Sequence, residues 1–375
     1  MQSEKQSNSP TKRILQSISD AGLVPFLAIL TAVVVGGIII KLVGGNPFLA
    51  YKGLIEGSLG SKKALSETAV WATPYIFAGL AVALAFKGGL FNIGAEGQLA
   101  VGAVFSALIG YALPEWLGFD LPVYIHLPLA IIVGMLTGGI WAGIVGALKA
   151  YTGGHEVINT IMMNYIALNT TSFLLNGVMK DHSPNNVSAR TPLIAESARI
   201  PAIFEGLRVH WGFVLALLVA FLIWWLLNKT TLGFEIRTVG SNPDAAQYAG
   251  INVKRTVILT MALSGMLAGL AGSIEVTGLN YRHELGFSIG YGYDAIAIAL
   301  LGRSHPLGIV LASILFAIMR NGATRMQFLT QLPVDLISML QALILLFVAA
   351  DAIVRYIYRI KSKGERVVLT RGWGG

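Results

Sequence analysis

Apolar runs long enough to cross a lipid bilayer recur along almost the whole of this chain. They fall near 21–43, 68–86, 92–112, 124–149, 157–178, 211–227, 257–277, 290–302, 306–320 and 332–354. A hydrocarbon core of roughly 30 Å needs about 20 apolar residues in helical form. Inside it every backbone N–H and C=O must find a partner within the protein, which a helix provides. The fold class expected is therefore all-α, a polytopic transmembrane bundle of about ten spans, with 290–302 short for a crossing. Charge agrees. Only 12% of residues are charged, against about 25% in soluble proteins, and the mean hydropathy is +0.68.

An even number of spans puts both termini on one side. The tail carries Arg355, Arg359, Lys361, Lys363, Arg366 and Arg371, so that side is expected to be cytoplasmic. Lys41, Lys52, Lys62 and Lys63 then fall on the opposite side, against the trend. The organisation read from this is a cytoplasmic segment at 1–20, a membrane domain at 21–354 and a basic cytoplasmic tail at 355–375. The run at 21–40 lacks an obvious small-residue cleavage site and reads as a retained helix. The net charge of +8 is thus a matter of orientation, and nucleic acid is not an expected partner. Cysteine is absent, which excludes disulfides and thiolate metal sites.

Two connections are hydrophilic. Residues 179–210, with three prolines, are expected as an external loop, and 228–256 as a cytoplasmic one. The second contains Gly240-Ser241-Asn242-Pro243-Asp244-Ala245-Ala246-Gln247-Tyr248-Ala249-Gly250. Asn242 is a good N-cap, Pro243 suits the first helical position and Asp244 complements the positive helix end. Gly250 is a natural residue just past the C-terminus. The spacing predicts a short helix over Pro243–Ala249, too short to be stable without a surface to dock on. Ala245 and Ala246 are small enough for a partner to approach closely. An ordinary capped loop helix fits the same residues.

Polar residues also break the apolar runs. The stretch Gly88–Gln98 has four glycines and places Asn92, Glu96 and Gln98 at the edge of a span. Irregular backbone at membrane depth persists only when buried in protein or lining a cavity, and an ionisable group there is a functional candidate. A water-exposed Glu96 at the interface is the alternative. Further on, Glu156, Thr160 and Asn164 recur at helical spacing, with His155 and Asn159 beside them. One helix face then carries a polar band that could line a pathway or bond to a neighbouring helix. There is also an internal echo: Phe91-Asn92-Ile93-Gly94-Ala95-Glu96-Gly97-Gln98 against Phe287-Ser288-Ile289-Gly290-Tyr291-Gly292-Tyr293-Asp294. Under the ten-span topology the two octapeptides open helices at opposite membrane faces, as an inverted repeat would.

Several chemistries are excluded. His155-Glu156-Val157-Ile158-Asn159 has asparagine where a zinc protease needs its second histidine. The chain has no P-loop and no convincing nucleophile–base pair, so no enzyme activity, cofactor or metal is expected.

Together these stretches resemble the permease family of ABC importers for branched-chain amino acids, ribose and nucleosides, over roughly 65–355. The octapeptide at 91–98 and Val239–Ile251 carry the resemblance. It implies that 228–256 is the coupling loop docking on a dimeric P-loop ATPase, through Gly240, Asn242, Pro243, Asp244, Ala245, Ala246 and Gly250. It implies a translocation path near Asn92, Glu96, Gln98, His155, Glu156, Asn159 and Asn164. The stretch Gly153–Tyr165 looks most like the nucleoside branch. That branch implies a nucleoside substrate, a second, non-identical permease and an extracellular lipid-anchored binding protein, in a bacterial plasma membrane. The alternatives are an importer of ribose or another small polar solute, and a secondary transporter driven by an ion gradient.

Overall fold

The computed structural model describes residues 10–184, 186–288, 290–333, 335–349 and 357–358. Apart from Ile357 and Tyr358, the expected basic tail lies outside the described residues. The helices, in chain order, are α1 (Pro10–Leu42), α2 (Pro47–Leu59), α3 (Lys62–Lys87), α4 (Ala95–Leu117), α5 (Val123–Thr152), α6 (Glu156–Asn176) and α7 (Trp211–Lys229). They continue with α8 (Thr231–Ser241), α9 (Pro243–Tyr248), α10 (Val253–Glu275), α11 (Tyr291–Leu301), α12 (Pro306–Thr330) and α13 (Asp335–Ala349). A 3-10 turn, Glu196–Ala198, precedes α7, and a π-helical turn, Val276–Asn280, prolongs α10. Among the described residues no strand forms beyond two isolated bridges.

Every apolar run overlaps a helix, but length and apolarity qualify six to cross a membrane: α3, α4, α5, α7, α10 with its π turn, and α12. Helix α6 is diluted by asparagine and threonine. Helix α11 has 11 residues, which rise only about 16 Å. Two helices were not foreseen. Lys52 and Glu56 interrupt α2, and α8 is amphipathic, burying Gly233, Ile236 and Val239.

The chain divides into two compact units, 1–48 with 335–375, and 49–334. In the first, Gly36, Ile39 and Ile40 of α1 lie with Leu336, Met339, Leu340 and Leu343 of α13 along one apolar seam. In the second, α5 and α10 pack against each other most extensively. A Cβ added at Gly138 would stand 2.7 Å from the Gly269 Cα, and one at Gly269 3.0 Å from the Gly138 Cα. Only glycine permits that approach. In lipid, where no hydrophobic effect drives helices together, close packing of this kind supplies the association energy.

The connection at 179–210 is folded onto the helices. Thr191 and Ile194 donate backbone N–H groups to His283 and Tyr281 O, both at 2.9 Å, and Ile200 donates to Thr277 O at 2.8 Å. Ile194 and Ala198 are buried in a cluster with Ala103, Ala107 and Val276. The 3-10 turn is pinned by the Ser197 hydroxyl, 2.8 Å from His126 Nδ1.

Candidate functional site

The break between α3 and α4 is a built structure. Helix α3 stops at Lys87, Gly89 turns the chain with φ +71°, and Leu90 to Gly94 runs back among the helices before α4 begins. Asn92 is fully buried and organises this return. Its Nδ2 donates to Gln98 Oε1 at 2.9 Å and to Ser264 Oγ at 2.8 Å. Its Oδ1 accepts from Gly94 N at 3.0 Å and Gln98 Nε2 at 2.9 Å. Ser264, about 16 Å along α10 from its start, donates its own hydroxyl hydrogen bond to Ala81 O at 2.6 Å. The network therefore sits well inside the bundle.

Asn164 of α6 completes it. Its Oδ1 accepts from Gly97 N at 2.9 Å and its Nδ2 donates to Ile93 O at 2.9 Å. One amide thus spans the break, taking up a backbone N–H that the first turn of α4 leaves free. Glu96 is buried, and its Oε2 accepts from Gly292 N at 2.7 Å. Gly292 lies in the first turn of α11, so the helix starts in the two echoing octapeptides meet. This corrects the expectation that they lie apart at opposite membrane faces: each begins a helix within the bundle, and their N-terminal turns touch.

Of the expected pathway residues, Asn92, Glu96, Gln98 and Asn164 come together. His155, Glu156 and Asn159 form a separate group at the α5–α6 turn. There Glu156 Oε2 pairs with Lys149 Nζ at 2.9 Å, both ends largely shielded. His155 is exposed, and its side chain makes no capping bond. The sequence reading missed Lys149 and Ser264, and named Gly292 only as part of the echoing octapeptide. Lys149 and Ser264 sit inside apolar runs, and that position was the available signal.

The loop helix forms as α9, with Ala249 as its C-cap. Asn242 Oδ1 accepts from Ala245 N at 3.0 Å, Pro243 opens the helix and Gly250 has φ +84°. Its exposed residues include Asp244, Ala245, Gln247 and Tyr248, the last 97% exposed. Ala246 differs from expectation. It is fully buried in this chain's own core, with Ala85, Leu90, Val145, Val239, Val257 and Met261. Gly240 also faces inward, its Cα against the backbone of Lys87–Gly89. The α8–α9 loop is thus seated on the break between α3 and α4. Small size at these two positions serves packing within the chain, a distinction that spacing alone does not reveal.

Residues 64–349 match the family described as the permease component of branched-chain amino acid transport systems. The chain belongs to that family. Its members are transport proteins, not enzymes, and six long apolar helices accord with a multi-pass membrane protein. Among curated relatives, the chain is 41% identical to the guanosine ABC transporter permease NupP of Bacillus subtilis, over 91% of this chain and 97% of that one. It is 36% identical to the nucleoside ABC transporter permease NupB of Lactococcus lactis, over 88% and 92%. It is 34% identical to the glucose ABC transporter permease TsgB13 of Haloferax volcanii, over 86% of each. No solved structure matches the chain.

Proposed function

We propose that this permease carries nucleosides into the cell by alternating access, as part of a complex powered by a dimeric P-loop ATPase. The observation that carries the substrate class is the 41% identity, nearly end to end, to a guanosine permease, joined by the Gly153–Tyr165 stretch of the nucleoside branch. The remaining parts follow the family pattern: a second, non-identical permease and an extracellular lipid-anchored binding protein. The ten apolar stretches make ten passages, α11 completing its crossing with the irregular chain that leads into it, as two inverted halves in which the starts of α4 and α11 meet, and both termini are cytoplasmic.

In this reading α9 docks on the ATPase through Asp244, Ala245, Gln247 and Tyr248, with Asn242, Pro243 and Gly250 fixing its ends and Ala246 and Gly240 anchoring it to the permease. Movement of α9 is passed to the α3–α4 break. Asn92, Gln98 and Asn164 brace the start of α4 beside the path, Glu96 ties it to α11, and His155, Glu156 and Asn159 form its cytoplasmic end. The permease supplies contacts that differ between its states, and the ATPase supplies the free energy.

A sugar is the second reading, favoured by the likeness to the glucose permease. Uptake of labelled guanosine, uridine, glucose and leucine by cells with and without the gene decides between them. Loss of nucleoside uptake alone is expected. Unchanged nucleoside uptake with loss of glucose uptake overturns the assignment.

A further inference from the structure

A second polar cluster lies outside the residues considered above, where α3, α11 and α12 come together. Tyr75 and Arg320 stand near the midpoints of α3 and α12, the depth at which a charge is most costly in lipid. Arg320 lies over the Trp71 indole, 5.8 Å from its centroid. Among the described residues its guanidinium forms no ion pair and donates no hydrogen bond. The Tyr75 hydroxyl donates to Asp294 Oδ2 at 2.8 Å, while Asp294 Oδ1 accepts no hydrogen bond among the described residues. Behind these groups is a rigid aromatic wall. Tyr291 and Phe316 pack edge-on against Tyr75 with centroids 5.1 and 6.1 Å apart, and all three rings are almost fully buried. Trp71, Asp294 and Arg320, by contrast, are only partly buried.

An indole, a guanidinium with unused donors and a carboxylate oxygen with an unused lone pair make an incomplete set. What completes it is a neutral, planar molecule with an acceptor edge for the arginine and a donor for the aspartate. Guanidinium presents its N–H groups as a flat fork that matches a purine's O6 and N7. An adenine edge offers N7 beside an amino donor and matches it less well. The Trp71 indole, with Tyr291 tilted against it at 6.1 Å between centroids, leaves part of its surface for a base to stack on. We infer that Trp71, Asp294 and Arg320 form a nucleoside-recognition site that prefers 6-oxopurines. Arg320 donates to O6 and N7, Trp71 stacks on the base, and Asp294 accepts from a ribose hydroxyl or a ring N–H. Tyr75 is a positioning residue that holds Asp294. This assignment rests on the nucleoside reading above and adds the residues and the purine class.

The test is uptake by the complete complex in membrane vesicles, with guanosine, inosine and adenosine as substrates and the amount of assembled complex measured for each variant. Arg320→Gln is expected to cut the preference for guanosine over adenosine roughly tenfold, the discrimination typical of one bidentate arginine–guanine contact. Asp294→Asn and Trp71→Phe are expected to raise KM for all three nucleosides. Tyr75→Phe should raise KM as well, and Asp294→Glu should restore part of what Asp294→Asn loses. An assembled Arg320→Gln complex with wild-type selectivity overturns the site. Should that variant fail to assemble, wild-type KM values in both Asp294→Asn and Trp71→Phe overturn it equally. A wild-type complex that takes up glucose but no nucleoside sinks the functional reading itself, a result distinct from either.

Discussion

The backbone N–H of Gly292 donates to Oε2 of Glu96 at 2.7 Å, tying the first turn of α11 to the first turn of α4. A carboxylate here meets the positive ends of two helices at once. A Cβ at Gly292 would lie against the Glu96 backbone, so Gly292→Ala must push the helix starts apart. A loss of about 1–3 kcal/mol is expected, as for other overpacked sites. Glu96→Gln keeps an acceptor and should melt close to wild type, whereas Glu96→Ala leaves the Gly292 N–H unsatisfied. Thermal melting of the purified complex checks the order, which fails if Glu96→Ala is as stable as Glu96→Gln.

Asn92 holds the returning chain through both ends of its amide. Asn92→Leu should destabilise the permease substantially, because Gly94 N, Gln98 and Ser264 all lose a partner and each buried orphan costs about 1–3 kcal/mol. Ser264→Ala, which removes one bond to Ala81 O and one from Asn92, at about 0.6–2 kcal/mol each should cost less than Asn92→Leu. Comparable melting of the two variants would show that the Asn92 network is not holding the break.

On the α9 helix the burial pattern separates two kinds of variant. Ala246→Arg forces a charge into this chain's own core and should reduce the amount of folded permease. Tyr248→Ala removes an exposed ring and should leave folding intact while weakening co-purification of the ATPase. Gly250→Val is strained at φ +84° and should fray the end of α9, with the same loss of association. Normal yield of Ala246→Arg, or undiminished ATPase binding by Tyr248→Ala, contradicts this division.

Two histidines outside the spans make stability depend on pH. Burial lowers the pKa of His283 to about 3. Burial and, to a lesser degree, the Arg208 charge lower that of His210 to about 4. Both imidazoles are thus neutral in the fold and protonate near 6.5 once unfolded. The unfolded chain binds more protons below pH 6.5, so stability is intact above that value and falls beneath it. The slope is about 1.4 kcal/mol per pH unit for each histidine, until the folded pKa values are reached. His210 also accepts from Gly212 N at 3.2 Å through Nδ1, a cap that protonation abolishes. Melting temperatures between pH 7.5 and 5.5 should fall for the wild type and fall less for His283→Gln. An unchanged slope in that variant would contradict the assignment.

Asn242, Pro243 and Gly250 could be read in advance because capping and turn chemistry are local: the residues that need each other are at most a few positions apart. The helices were legible for the same reason, since an apolar run states its own solvent. What could not be read is which face of α9 looks inward, because the neighbours of Ala246 are as distant in sequence as Ala85 and Met261. Nor could the junction of Glu96 with Gly292 be read, although the echo between their octapeptides pointed at both. Asn164 was marked as polar within a span, but its bond to Gly97 depends on a chain reversal that no period in the sequence records.

The meeting of Gly240 with the Lys87–Gly89 backbone has a mechanical meaning. Contacts made through side chains yield, because a lysine or methionine can change rotamer and absorb a displacement of an ångström or more. Main chain against main chain has no such slack. A shift of the α8–α9 loop therefore reaches the turn at Gly89 undiminished, as a rigid rod would carry it. Even a single methyl group wedged into that joint would act as a shim, resetting the rest position of everything beyond it.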